Sequence, residues 1–590
     1  MSRFLKYFLA VILGSIVSVL LFFLGCLIFI SIMAASGSSE VIVKNNTILV
    51  LDLNGQIAER VSNDPFSDMV LDYSGQSKSM GLNDILSSIK KAKTDDRIKG
   101  IYLESSAISA GYATVEEIRN ALLDFKESGK FIYSFSSAYT QKAYYLASAG
   151  DKVYLNPEGM LDFRGIASES MFFKGTLEKL GIEMQIFKYG EFKSAVEPFI
   201  LDKMSDASRL QVETYIGSIW NHLLKGISAS RGLSVEDLNK IADEYAGLKD
   251  NDYLSSCGLL DGLIYKDEIL DQLKELTGID KDKNLNTIAI GKYTNATVPG
   301  KKKLVEKDKI AVIYAEGEIS DGESDSAGGI VSGPLSKTIR KARNDKNIKA
   351  IVLRVNSPGG SGLASEIIWR EVELAKAEKP VVVSMGDYAA SGGYYIACAA
   401  NSIVAQPSTL TGSIGVFAMI PNTSGLMKKI GISTDVVRTN KMSDMPNVSR
   451  SFNTDEKALF QLYVNRFYST FIQRCADGRN VSTEDIDKIG QGRVWSGENA
   501  IGIKLVDKLG GINDAIEIAA NLANLESYSI LELPDLLSPF DRMVKELTGG
   551  AVARIEQMML GEEYKILKTI NNLKDGYPIQ ARMPYDITVY

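Results

Sequence analysis

The chain has 590 residues, enough for two or more domains, each with its own core. Its composition, 45% hydrophobic and 24% charged, is that of an ordinary globular protein, and a net charge of −7 with no basic block argues against a nucleic-acid surface. One histidine, His222, rules out a multi-histidine zinc site, and the four cysteines (Cys26, Cys257, Cys398 and Cys475) have neither paired nor metal-type spacing, so no metal or other cofactor is expected.

Residues 7–33 carry no charge and are dominated by Leu, Ile, Val and Phe. The run exceeds the roughly 20 residues that cross a bilayer as a helix, and also the apolar core of about 7–15 residues usual in a cleaved secretory signal. Arg3 and Lys6 precede it, which places the N-terminus in the cytoplasm. An uncleaved single-pass anchor is therefore expected within residues 1–36, with everything after it outside the cytoplasmic membrane.

Beyond the anchor the chain says the same thing twice. At an offset of 250, Ile98-Lys99-Gly100-Ile101 aligns with Ile348-Lys349-Ala350-Ile351, Tyr144-Tyr145-Leu146-Ala147 with Tyr394-Tyr395-Ile396-Ala397, and Leu180-Gly181-Ile182 with Ile430-Gly431-Ile432. A period this long marks a duplicated domain rather than a solenoid. In chain order, each copy reads as a strand (Thr47 to Leu51; Ile310 to Tyr314), a helix around Ile85–Ala92 or its counterpart, and a fully apolar strand (Ile98 to Leu103; Ile348 to Leu353). A second helix (about Val115 to Lys126; Ser365 to Lys376) and a further strand (Phe131 to Phe135; Val381 to Ser384) follow. Continuous apolar strands alternating with amphipathic helices predict an α/β fold with a largely parallel sheet in each copy. The boundaries are read as 45–280 for the first domain, 281–308 for a linker, 309–526 for the second domain and 527–590 for a tail with no assigned role. His222 falls in an amphipathic helical stretch and is expected to be structural.

The copies differ where chemistry would sit. The second carries Pro358-Gly359-Gly360 after a strand, where the first has Ile108-Ser109-Ala110. Glycines there let backbone N–H groups turn outward, which suits an oxyanion hole, although an ordinary strand-to-helix turn reads the same way. The second copy also carries Ser391-Gly392-Gly393, against Gln141-Lys142-Ala143 in the first. A serine at a helix start is either an N-cap or a nucleophile whose next amide, that of Gly392, is an oxyanion donor. A serine nucleophile needs a base, and with histidine nearly excluded a lysine is the natural candidate. Lys193, where the second copy has Ser443, has small and apolar neighbours. It is either a base kept neutral by burial or a surface lysine paired with Glu191 or Glu197.

Together these segments resemble the signal peptide peptidase family, the long two-domain form of the S49 serine peptidases, within the ClpP/crotonase fold group. The resemblance implies tandem ClpP/crotonase-like domains and a serine endopeptidase with a Ser-Lys dyad. Ser391 would be the nucleophile, Lys193 the general base, and Ser413 in Thr411-Gly412-Ser413-Ile414-Gly415 the serine that orients the lysine. Gly359 or Gly360, with Gly392, would form the oxyanion hole. It also implies a homotetramer on the cytoplasmic membrane that degrades cleaved signal peptides and other unfolded peptides. Two other readings use the same residues: a crotonase-type acyl-CoA enzyme, and a non-catalytic membrane scaffold.

Overall fold

A computed structural model describes residues 7–8, 11–22, 24–25, 41–61, 79–249, 251–299, 306–324, 329–536 and 579–583. The N-terminal apolar run lies partly outside the described residues, and among the described residues no helix is long and apolar enough to cross a membrane.

The first repeat runs β1 (Thr47–Leu51), α1 (Leu82–Lys93), β2 (Ile98–Leu103), α2 (Tyr112–Lys126), β3 (Phe131–Tyr139), α3 (Gln141–Ala147), β4 (Lys152–Leu161), β5 (Glu183–Tyr189), α4 (Asp206–Arg231), β6 (Gly262–Leu263) and β7 (Thr287–Ala289). The second runs β8 (Lys309–Glu316), β9 (Ile319–Ser320), α5 (Ser332–Asn344), β10 (Ile348–Ser357), β11 (Gly359–Ser361), α6 (Gly362–Lys376) and β12 (Val381–Ala390). It continues through α7 (Gly392–Ala397), β13 (Leu410–Gly412), β14 (Val416–Asn422), α8 (Thr454–Arg479), β15 (Val494–Ser496), β16 (Ser529–Leu533) and β17 (Ile579–Arg582). Parallel strands dominate both main sheets, in the order β7-β1-β2-β3-β4-β6 and β15-β13-β12-β10-β8-β16. The fold is α/β, as expected, and the repeat is visible in the register: Leu49 pairs Ile101 in the first sheet and Ala311 pairs Ile351 in the second.

Four strands depart from the elements expected. β7 lies in the stretch read as a linker and β16 in the tail to which no role is assigned; each pairs in parallel with the first strand of its repeat. Strands this short at a sheet edge carry no periodic signal against polar flanks. β12 is twice as long as its apolar core, continuing through Gly386 and Asp387 until it meets Ser391, because β13 pairs with Tyr388, Ala389 and Ala390. The tail also returns at β17, which pairs antiparallel with β11 and β14.

The two repeats share one apolar core, in which Tyr112, Val115 and Ile118 of α2 pack with Val352, Val382 and Ile512 of the second repeat. A buried cation sits at this junction. Arg354 of β10, with none of its surface exposed, lies 2.9 Å from Glu59 and 2.7 Å from Glu117, both from the first repeat. Asp387 of β12 accepts from the Gly111 and Thr114 amides at the start of α2, at 3.2 and 2.9 Å. A methyl group at Gly111 would come within 2.1 Å of that carboxylate, so a larger residue there would displace Asp387 from its contact with α2.

Arg354→Ala would leave Glu59 and Glu117 buried without their cation. Loss of one partner from a buried ion pair costs about 3–5 kcal/mol, and a loss of that size is expected in equilibrium denaturation. A loss below about 1 kcal/mol would show that the cluster does not hold the repeats together.

Candidate active site

β5 decides where the first repeat meets the site. This strand joins neither main sheet; it crosses to the second repeat and pairs antiparallel with β14 from Glu183 opposite Asn422 to Tyr189 opposite Val416. Its aromatic residues meet partners in the second repeat, the buried Phe187 stacking on Phe460 at 5.1 Å and the exposed Tyr189 on Tyr468 at 4.1 Å. The chain then turns at Gly190, whose φ is 111°, and the Phe192 amide donates to the Gln491 carbonyl at 2.9 Å. A Cβ on Gly492 would lie 2.6 Å from the Lys193 nitrogen, so the second repeat needs a glycine there for the approach.

The result is a fully buried Lys193 whose Nζ lies 2.8 Å from Ser391 Oγ, 3.1 Å from Ser413 Oγ and 3.1 Å from the Ser413 carbonyl oxygen. The three residues singled out in the sequence meet within one chain. Burial pushes the Lys193 amine far below its ordinary value, because the charged form has lost its water. The surface reading, with Glu191 or Glu197 as partner, does not hold: Glu197 is engaged by the Ser205 hydroxyl at 2.7 Å and the Ser205 amide at 3.1 Å.

Ser391 stands at the junction of β12 and α7 with φ 56° and ψ −113°, a backbone conformation uncommon for a side-chain-bearing residue. Its amide donates to the Gly412 carbonyl at 2.7 Å and its carbonyl accepts from the Tyr395 amide at 2.8 Å. The hydroxyl makes no capping bond to the helix, so the N-cap reading is not the one realised. Ser413 is held in the same way, with φ 50° and its amide donating to the Arg493 carbonyl at 2.7 Å.

The two glycines of the Pro-Gly-Gly turn are distinct. A Cβ on Gly359 would stand 2.8 Å from the Gly392 nitrogen, whereas one on Gly360 would stand 2.0 Å from the Ile319 carbonyl oxygen of β9. The Gly359 amide donates to Ser357 Oγ at 3.1 Å and is spent within the turn. β17 runs along this turn, Gly360 opposite Ala581, and the Ala581 carbonyl oxygen would lie 2.1 Å from a Cβ on Gly359 and 3.1 Å from one on Gly392.

The matching places in the first repeat hold no such group. Gln141 Oε1 accepts from the Arg164 and Gly165 amides, at 3.3 and 3.0 Å, and Lys142 donates to the Ala110 carbonyl. His222 pairs with Glu116 at 3.2 Å, as a structural residue would. Sequence reasoning missed Gly492 and Gln211, which pack against the Lys193 loop; neither sits in a motif, and only their contacts across the repeats mark them.

The profile of Peptidase family S49 matches residues 124–280 and again 373–526. Protease 4 of Salmonella typhi is 37% identical over 522 residues, covering 86% of this chain and 84% of its own length. Protease 4 of Haemophilus influenzae is 34% identical, covering 95% of each chain. The chloroplastic serine protease SPPA of Arabidopsis thaliana is 33% identical, covering 90% of this chain and 81% of its own. Among solved structures, ClpP1 of Listeria monocytogenes matches 34% of this chain and 92% of its own, at 17% identity and a TM-score of 0.22.

A lysine whose folded-state value lies below its unfolded value of about 10.4 leaves the unfolded chain binding the extra proton between the two. Stability therefore rises with pH across that window. Relative to Lys193→Met, the wild type is expected to gain stability as pH goes from 7 to 10 in denaturant titrations. A difference that does not change with pH would mean the amine is charged in the folded protein.

Proposed function

The chain belongs to peptidase family S49 and is a serine protease, and from that premise we propose that it cleaves peptides with a Ser391–Lys193 dyad completed between its two repeats. The observation that carries the reading is the 2.8 Å approach of a fully buried amine to the hydroxyl of a serine in a strained backbone conformation. With the amine neutral, its two N–H groups serve the Ser413 carbonyl and hydroxyl oxygens, and its lone pair accepts the Ser391 O–H. Every valence of the nitrogen then has a partner.

In the proposed reaction Lys193 takes the hydroxyl proton as Ser391 Oγ bonds to the scissile carbonyl carbon. We assign the Gly392 and Gly360 amides to the developing oxyanion. The ammonium of Lys193 returns its proton to the leaving amine, and the C–N bond breaks to give an acyl-Ser391. Water, deprotonated by the again neutral amine, releases the acid. Ser413 orients the amine.

β17 supports an extended substrate. This segment already pairs antiparallel along β11, and its Ala581 carbonyl rests beside Gly359 and Gly392. A peptide lying along β11 in the place that β17 takes would gain affinity through its backbone and preference through shallow pockets for alternate side chains. We assign as substrates cleaved signal peptides and other unfolded peptides. Residues 1–36 serve as a single-pass anchor that leaves the catalytic domains on the extracytoplasmic side, which the uncharged run after Arg3 and Lys6 supports. The functional unit is a homotetramer, for which exposed apolar residues such as Val437, Leu462 and Ile430 offer a surface to cover. The first domain, 45–280, supplies the base and the second, 309–526, the nucleophile.

Ser391→Ala and Lys193→Ala are each expected to abolish cleavage of an unstructured peptide, with circular dichroism and sedimentation unchanged. A fluorophosphonate probe should label wild-type Ser391 and leave Lys193→Ala unlabelled. Turnover above about 1% of wild type in either variant would remove that residue from the mechanism.

A further inference from the structure

Lys193 does not sit in a helix or a strand. With φ −75° and ψ 77° it is the middle residue of a three-residue turn, closed by the Ser194 amide donating to the Phe192 carbonyl at 2.8 Å. Its own amide makes only a long bond, 3.3 Å to the Gly190 carbonyl. A turn this short does not by itself fix the end of a four-carbon side chain to within a few tenths of an ångström, and the amine needs that accuracy to meet two serines from the other repeat.

One side chain supplies what the turn lacks. Gln211, on the second turn of α4 and 1% exposed, donates from Nε2 to the Phe192 carbonyl at 3.0 Å and to Ser194 Oγ at 2.9 Å. These are the residues on either side of Lys193. Its Oε1 accepts from the Val494 amide at 3.1 Å. Val494 belongs to β15 and pairs with Gly412, the residue before Ser413, while the Arg493 carbonyl next to it holds the Ser413 amide. A single amide group thus ties both flanks of the lysine to β15, the strand paired with the one that leads into its partner serine.

We propose that Gln211 is a positioning residue for the peptidase reaction, holding the turn that presents Lys193 in register with Ser413 and Ser391 across the repeat boundary. The inference rests on the dyad reading above. Gln211 uses both amide donors and its acceptor while remaining uncharged, so it clamps the turn without placing a carboxylate near the amine. The charged groups around that turn are Glu191 and Glu197 on its own segment and Arg493, stacked between Phe192 at 4.9 Å and Trp495 at 4.1 Å. The Lys193 amine is displaced downward by burial.

The test uses the full chain carrying Gln211→Met, which keeps length and loses all three hydrogen bonds, or Gln211→Glu, which keeps the acceptor, loses both donors and adds a charge. Peptide cleavage is measured per folded chain across pH. Gln211→Met is expected to lose about 100-fold in kcat with KM within about twofold, the scale of a misplaced catalytic group. Gln211→Glu is expected to lose activity as well and to move the midpoint of the kcat/KM profile to higher pH, because the carboxylate favours the ammonium. Wild-type kcat per folded chain together with an unmoved midpoint would overturn the proposal and leave Gln211 a packing residue. Should neither variant fold, Ser194→Ala, which removes one of the two acceptors, decides the matter: lowered kcat at constant KM supports the clamp, and unchanged turnover overturns it. Lys193→Ala is run alongside. Activity in that variant would sink the dyad reading itself, whereas an inactive Lys193→Ala beside fully active Gln211 variants would sink only this inference.

Discussion

A primary amine that water does not reach is the constraint on which the rest of this structure depends. Charge on Lys193 is unfavourable without solvation, and none of its hydrogen-bond partners is a carboxylate: Ser391 Oγ, Ser413 Oγ and the Ser413 carbonyl. The same burial that costs stability keeps the lone pair free. Maintaining it requires the second repeat to close over a residue of the first, which is why the glycine at position 492 lies against the Lys193 backbone and why the aromatic stack of Tyr189 on Tyr468 stands just before the turn.

Duplication explains how such an arrangement is built. Each repeat keeps the same scaffold of parallel strands and a 26-residue helix, α4 or α8. The departure is β5, which leaves its own repeat to extend the sheet of the other. Once that strand crosses over, the Lys193 amine is delivered to a serine of the other repeat, and the junction must be stiff. The shared core around α2, the Arg354 cluster and the Asp387 contact with the start of α2 all lie on the boundary that sets the amine-to-hydroxyl distance.

Local patterns made much of this legible. Apolar runs such as Ile98–Leu103 specify buried parallel strands, and their recurrence at an offset of 250 reveals the duplication. Comparing the repeats then isolates Ser391, Lys193 and the glycine turn, because a residue kept for folding alone would recur in both. What local pattern misses is long-range. The continuation of β12 through Gly386 and Asp387 depends on β13, and β7 and β16 depend on the strands they flank. Arg354 follows the apolar run Ile348 to Leu353, and nothing local in the sequence marks that Glu59 and Glu117 meet it from the other repeat. Gln211 is one polar position in an amphipathic helix, and its significance appears only when the loop it clamps is folded against it.

The protonation state of Lys193 tests the account most directly. Lysine labelled with 13C at Cε, introduced into the full chain carrying Ser391→Ala and assigned by comparison with Lys193→Met, gives that state from the chemical shift across a pH titration. The account predicts one resonance that stays in the neutral-amine position at pH 8, far below the ordinary lysine transition near 10.4. A Lys193 resonance that remains in the ammonium position until about pH 10 would contradict it.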